Sequence, residues 1–484
     1  MSGKSLKILF LSAEAVPFAE VGGLADVAGS LPRAIRALGH DVRLMMPRYG
    51  TIRSDRFRLE KIGDPFPIPV GPGEEYVHLI GDTLDGGVPA YLIWNDLYFS
   101  SRDRVYGFED DAQRFAVFGH ASLAALHLLD WKPDVIHTND WHTGIVPAWL
   151  DTAGWKDPFY RDIATLFTIH NLAYQGIAGR LILTFAQMEY VKHLPVEQPG
   201  VVNWMAQGIA HADLINTVSP RYAQEILTPE MGMGLDSLLG ERQDRLFGVL
   251  NGIDYEQWNP ATDSSIPHRF DVKTPDRRAV NKTALQQQAR LPVRPEVLLV
   301  GMVSRLDEVK GMGLMEPVLE GLLEGEAQFV LLGTGMPQYH EMFERVQARF
   351  PGRMHAFLKF DDVLARRIYA GADVFLMPSG VEPCGLGQMI AMRYGCVPVV
   401  RAVGGLADTV TDYTAKRRRG TGFTFTDYTA EACQDALERA LKVYRDKKAW
   451  RRLQRRGMKA DFSWSASAQE YVKLYRRAMN VHGA

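Results

Sequence analysis

The apolar positions of this chain fall into short unbroken runs that alternate with stretches of helical spacing. Lys7 to Ser12 form the first run. Leu24, Val27, Ala28, Leu31, Ile35 and Leu38 then recur every three or four residues until Gly39, and Val42 to Met46 form the next run. An uninterrupted apolar run is the mark of a strand buried on both faces, and the spacing between the runs is that of a helix with one inward face. This predicts a β-α-β unit with Gly22-Gly23 in its first turn. The alternation continues through Asp134 to His142, Ala164 to Thr168, Leu214 to Thr217 and Phe247 to Leu250. Each run ends on polar residues: Asp140 and His142, His170-Asn171, Ser219-Pro220 and Asn251-Gly-Ile-Asp254. Open α/β sheets bind ligands at the carboxyl ends of their strands, so the recurrence points to one shared site, although each tip alone is equally a turn or a cap.

Two segments break the pattern. Thr51 to Asp111 is crowded with Gly, Pro and aromatic residues, including Tyr98, Phe99 and Tyr106, and reads as a loop-rich insertion near the site. Trp258 to Pro275 is rich in Pro, Asp, Thr and Ser without periodicity and marks a domain boundary near residues 255 to 278. A second set of β-α units follows. Val297 to Val303 lead to Arg305, with Lys310-Gly311 five residues on; Gln328 to Leu332 lead to Gly333-Thr-Gly335; Val374 to Met377 and Val397 to Val400 continue the sheet. Gly22-Gly-Leu-Ala-Asp26 returns as Gly404-Gly-Leu-Ala-Asp408, one copy in each half. The expected fold class is α/β, with two Rossmann-like domains, 1–255 and 256–460, facing one another across a cleft, and a last amphipathic helix over 461–484 with Tyr471, Leu474 and Tyr475 on one side. The basic runs Lys416 to Arg419 and Arg451 to Arg456 sit among mixed charge and read as solvated faces.

The stretch around Glu382 is the most telling. The apolar Val374 to Met377 give way to turn residues from Pro378 to Pro383, and Leu386, Met389, Ile390 and Tyr394 then keep helical spacing up to Gly395. One carboxylate, Glu382, followed by Cys384 to Gly387 at a helix start, suits a ligand that carries both hydroxyls and phosphates, such as a nucleotide sugar. The bland alternative is that Glu382 caps the helix. Transfer of a glycosyl group requires the leaving diphosphate to be neutralised. The chain has no Asp-x-Asp pair for a metal, whereas Arg305 with Lys310 at a strand-helix junction offers a planar fork and a point charge, unless both are ordinary solvated charges. Asp140 and His142 lack a third metal ligand nearby, and the diglycine lacks the spacing of a dinucleotide fingerprint.

Composition narrows the class only at its edges. At 484 residues, 46% hydrophobic and 23% charged, the chain is ordinary globular protein of two or three domains. A net charge of −2 gives no reason to expect nucleic acid or an acidic membrane. Three cysteines without metal-ligand spacing, and no signal-peptide-like or membrane-length apolar run, lead to the expectation of a soluble protein of the reducing cytoplasm.

With these residues assembled, the chain resembles bacterial glycogen synthases and plant starch synthases, retaining glycosyltransferases of the GT-B fold that use ADP-glucose. The likeness spans almost the whole chain. It rests on Val21-Gly-Gly-Leu-Ala-Asp-Val27, Asn139-Asp-Trp-His142, Thr168-Ile-His-Asn-Leu-Ala-Tyr-Gln-Gly176, Val249-Leu-Asn-Gly-Ile-Asp254, Val303-Ser-Arg-Leu306 with Lys310-Gly311, Glu382-Pro-Cys-Gly-Leu386, Gly404-Gly-Leu-Ala-Asp-Thr-Val410 and Asp461-Phe-Ser-Trp464. The resemblance implies that Arg305 and Lys310 bind the donor phosphates and that Glu382 holds the glucose. It implies that Asp140, His170 and Asn251 line the sugar pocket and that Phe360 stacks on adenine. Gly22, Gly23, Cys384, Gly385, Leu386 and Gly387 would contribute to the donor site, and Tyr106 to the acceptor site. It further implies an acceptor-binding first domain, a nucleotide-sugar-binding second domain and a final helix crossing back onto the first. ADP-glucose and an α-1,4-glucan are the implied partners, and neither cofactor nor metal is implied.

Four positions depart from the family pattern. Glu20 stands where the family carries a donor-facing Lys, Ala206 replaces a second Lys, Gly380 an Arg and Gly387 a Thr. Each lost charged contact costs about 1.5–3 kcal/mol, or ten- to a hundredfold in binding or rate. The expectation is therefore an α-1,4-glucan synthase acting with retention. A glucan-binding or regulatory homologue of low activity, and a transferase using another nucleotide-sugar donor, remain as alternatives.

Overall fold

The structure is a computed structural model that describes residues 4–188, 200–414 and 419–483. Of the basic run Lys416 to Arg419, only Arg419 is among the described residues. The chain divides into two compact units, Met1–Gly252 with Trp464–Ala484, and Ile253–Ser463. The last helix, Trp464–His482, is thus part of the first unit.

The first unit is built on a nine-stranded sheet in the order Leu246–Gly248, Leu214–Thr217, Ala164–Ile169, Val135–Asn139, Lys7–Leu11, Asp41–Pro47, Val88–Trp94, Gly73–Leu84, Glu60–Val70. The first seven pair in parallel and the last two antiparallel. The strands Val135–Asn139, Ala164–Ile169 and Leu214–Thr217, in which polar residues stand among the apolar ones, are buried along their whole length, covered on both faces as parallel strands must be. Between residues 51 and 111 the structure corrects the sequence reading: the loop-rich insertion is the antiparallel wing of this sheet. Pro65, Pro67 and Pro69 disguised its outer strand. They lie on a sheet edge, where a missing N–H need not break a ladder.

The second unit holds a six-stranded, fully parallel sheet in the order Met354–Phe357, Ala327–Leu332, Leu298–Val303, Val374–Met377, Val397–Arg401, Phe423–Phe425. Helices pack around it over a core that includes Val300, Phe329, Leu376, Val399, Phe423 and Trp450. Under the core, Lys282 is buried with its ammonium shared among the Asp373 carboxylate (2.7 Å), the Tyr444 hydroxyl (2.8 Å) and the carbonyls of Pro295 and Val297, which satisfies a charge that would otherwise be prohibitive at that depth. On Lys447–Lys459, Arg451, Arg452 and Arg455 are exposed while Leu453 and Gln454 are buried. Among the described residues no helix is long and apolar enough to cross a membrane.

Candidate active site

In the second unit the strand Val374–Met377 runs into a loop whose one carboxylate turns inward. Glu382 is buried, and the Lys310 ammonium donates to both of its oxygens, at 2.8 and 2.7 Å, while the Ser379 hydroxyl donates to Oε2 at 2.9 Å. The capping alternative does not hold, because the helix Gly387–Arg393 begins after Leu386 with no side-chain cap. Lys310 is delivered by a single helical turn, Glu308–Lys310, in which the Asp307 carboxylate accepts the Lys310 N–H at 3.0 Å. Gly311 lets that turn approach the loop: its φ is +81°, and a Cβ there would lie 2.2 Å from the Pro378 carbonyl oxygen. Arg305 is 3.4 Å from Asp307, but its side chain is 68% exposed, leaving most of its guanidinium open to solvent. Arg305, Lys310, Ser379, Glu382, Gly385, Leu386 and Gly387 line one cavity of about 160 Å³. Cys384 is buried and Phe360 has 81% of its surface exposed, and neither lines this cavity.

The repeated diglycine has a different physical basis in each half. The N–H of Gly405 donates to the carbonyls of Glu382 and Pro383, and a Cβ on Gly404 or Gly405 would lie 2.0 or 2.1 Å from the backbone oxygens of Glu382 and Cys384. The second pair is therefore a packing requirement of the Glu382 loop. Around Gly22 and Gly23, by contrast, a Cβ meets nothing closer than 3.8 Å.

The first unit gathers a second cluster. Asp140 leaves its strand with φ +56° and ψ 178°, an extended positive-φ conformation that is rare without glycine, and is buried. Its Oδ1 accepts the N–H of His170 at 2.7 Å and of Asn171 at 3.4 Å, and burial pushes its pKa up to about 7 against those two bonds. His170 Nε2 lies 2.9 Å from Asn139 Oδ1, and burial drives the imidazole down to about 3. His142, likewise lowered to about 3 by burial, stacks on Tyr106 at 4.7 Å and meets Phe115 edge-on at 4.6 Å. Tyr106 lies beside Glu14, whose Oε2 accepts the N–H groups of Val21 (2.6 Å) and Gly22 (3.2 Å), and burial pushes Glu14 up to about 7. Both imidazoles are neutral at physiological pH, while the two carboxyls titrate within reach of it.

The structure thus brings Arg305, Lys310, Glu382, Gly385, Leu386 and Gly387 together in one unit, and Asp140, His170, Tyr106 and Gly22 in the other. Asn251 is buried, with its Oδ1 unmatched among the described residues. Glu14 was missed by the sequence reading. Its signal was available: it is the acidic residue closest after the first strand, at the carboxyl end where ligands bind. Of the four departures, Glu20 is exposed and Ala206 fully buried. At Gly380 a Cβ would find 3.5 Å of clearance, whereas at Gly387 it would press on Phe375 at 3.0 Å. Among the described residues no group of three or more His, Cys, Asp or Glu is placed to hold a metal ion.

Residues 7–241 match the family model of the starch synthase catalytic domain, and residues 283–457 that of the group 1 glycosyl transferases. The chain is 47% identical to a glycogen synthase of Moorella thermoacetica over 99% of its own length and 98% of the relative's. It is 45% identical to glycogen synthase 2 of Geobacter sulfurreducens over 98% and 99%. Among solved structures, the catalytic domain of starch synthase IV from Arabidopsis thaliana, bound to ADP and acarbose, matches with a TM-score of 0.88 at 35% identity, over 99% of this chain and all of that one. A sucrose-phosphate synthase from Thermosynechococcus elongatus matches at 0.60 and 20% identity, over 97% and 98%, which is a likeness of fold alone.

Proposed function

Because the chain belongs to the glycogen synthase and starch synthase family, we propose that it transfers glucose from ADP-glucose to the nonreducing end of an α-1,4-glucan with retention of configuration. The observation that carries the assignment of roles is the cavity in which Glu382 is held by Lys310 and Ser379 with Arg305 at its rim. The leaving group of this reaction is a diphosphate whose charge grows as the glycosidic bond breaks. Arg305 and Lys310 place two positive charges for it, in a partly dry cavity where they act more strongly than in water. Glu382, buried and held by Lys310 and Ser379, accepts hydrogen bonds from glucose hydroxyls and fixes the sugar.

In the first unit His170, neutral at working pH, acts as a hydrogen-bonding group rather than as a general acid, and Asp140 orients it through the backbone. A groove of about 620 Å³ lined by Trp141, Tyr174, Gln175, Gly176, Ile177 and Met233, with Tyr174 62% exposed, offers aromatic and apolar faces suited to the flat sides of glucosyl rings. We assign it to the glucan chain.

A donor screen with glycogen as acceptor tests this reading. Turnover with ADP-glucose is expected. Turnover only with another nucleotide sugar would move the donor assignment, and glucan binding without turnover from any donor would refute the enzymatic reading.

A further inference from the structure

The helix Trp464–His482 carries two fully buried tyrosines into the sheet of the first unit, and their hydroxyls do not end in apolar packing. The Tyr475 hydroxyl lies 2.9 Å from His137 Nδ1, and His137 Nε2 lies 2.7 Å from Thr168 Oγ1. Asn216 Nδ2 donates to the Tyr471 hydroxyl at 3.1 Å and to Thr168 Oγ1 at 3.4 Å. All five side chains are without exposed surface. The three strand residues come from adjacent parallel strands, with Asn139 paired to Thr168 and Thr168 paired to Asn216. The network therefore sits one step behind the polar strand tips. The Thr168 carbonyl accepts the Asp140 N–H at 2.9 Å, and His170 follows Thr168 by two residues.

Polar groups at this depth are costly unless matched, and an apolar set of similar volume would pack a helix on a sheet as well or better. Burial keeps His137 neutral, so one ring nitrogen donates and the other accepts, and the ring imposes a fixed orientation on Tyr475 and Thr168 together. Asp140, for its part, holds a backbone conformation that persists only when its surroundings over-determine it.

We propose that Tyr475, acting through His137 and Thr168, is a positioning residue for glucosyl transfer: it sets the ends of the strands Val135–Asn139 and Ala164–Ile169 so that Asp140 and His170 keep their mutual geometry. The inference rests on the role given to Asp140 and His170 above.

Tyr475→Phe removes one oxygen and leaves the ring. With ADP-glucose and glycogen, assayed well below the melting temperature so that the folded fraction is constant, kcat is expected to fall about tenfold while KM for ADP-glucose stays close to wild type, because Arg305 and Lys310, the two charges given to the donor phosphates, belong to the other unit. A merely structural tyrosine would lower the melting temperature without this split. Thr168→Val, which breaks the next link, should cause a similar loss, and the double variant should be no slower than the slower single one. A Tyr475→Phe enzyme with kcat within about twofold of wild type, or losses that multiply in the double variant, would overturn the inference while leaving the functional reading intact. If Tyr475→Phe does not fold, Thr168→Val decides by the same kcat and KM criterion. An inactive wild type would overturn both readings.

Discussion

Replacing Lys310 by Met separates the structural duty of the Lys310–Glu382 pair from the catalytic duty proposed for it. The Glu382 side chain is 7% exposed and that of Lys310 20%, and both carboxylate oxygens are engaged by the one ammonium. Without Lys310 the carboxylate keeps the Ser379 hydroxyl and loses its counter-charge. Breaking a buried pair in this way costs about 3–5 kcal/mol, and the remaining hydrogen bond and partial exposure place this case near the lower end, at about 3. In a unit of roughly 210 residues that corresponds to a fall of about 6–12 °C in melting temperature. Activity should fall by ten- to a hundredfold, the loss of about 1.5–3 kcal/mol of charge stabilisation at the leaving group. The double variant Lys310→Met with Glu382→Gln removes both charges, so most of the lost melting temperature should return while activity stays low. Scanning calorimetry and steady-state kinetics on the two variants decide the matter. A single variant that melts like wild type would show that the pair is not desolvated, and a double variant that regains activity would remove both residues from the chemistry.

Burial holds the Asp140 carboxyl near 7 in the folded state against 3.8 unfolded, so its contribution to stability is fully present below pH 4 and is lost as pH rises through 7; Asp140→Asn should flatten that part of the stability profile, as followed by urea unfolding at a series of pH values. His482 is raised to about 9, first by its hydrogen bond to Asp213, so the stability it adds is complete below pH 6.5 and lost as pH rises through 9, and His482→Ala should remove this high-pH slope. Gly387→Thr, which restores the residue that the family carries, should destabilise by about 1–3 kcal/mol because its Cβ presses on Phe375, and Phe375→Val in the same chain should relieve the loss; equal melting of the single variant and wild type would contradict the crowding. Glu20→Lys, at an exposed position before the open diglycine, should lower KM for ADP-glucose by up to about tenfold, and an unchanged kcat/KM would show that this departure from the family has no bearing on the donor.

Several parts of the site were legible in the sequence because their causes are local. A strand buried on both faces is mostly apolar, so Val374–Met377, Ala164–Ile169 and Leu214–Thr217 announced themselves, and the polar residues that follow or end them are those the structure gathers into clusters. The antiparallel wing at 60–94 was not legible: prolines that break a central strand are harmless at an edge, and only pairing decides which strand is the edge.

The sequence by itself determined the alternation of strand and helix, the family and the residue types at the strand tips, because side-chain periodicity and turn chemistry act over a few residues. Only the tertiary structure decided what those residues touch. It turned Glu382 from a possible helix cap into the partner of Lys310, 72 residues away, and showed that one diglycine is a packing contact and the other is open. It also brought Glu14 to Asp140 and drove both carboxyls towards 7, and it set Tyr475 against His137 across 338 residues. Desolvation and hydrogen bonding depend on distance in space, and no local pattern in the chain encodes that distance.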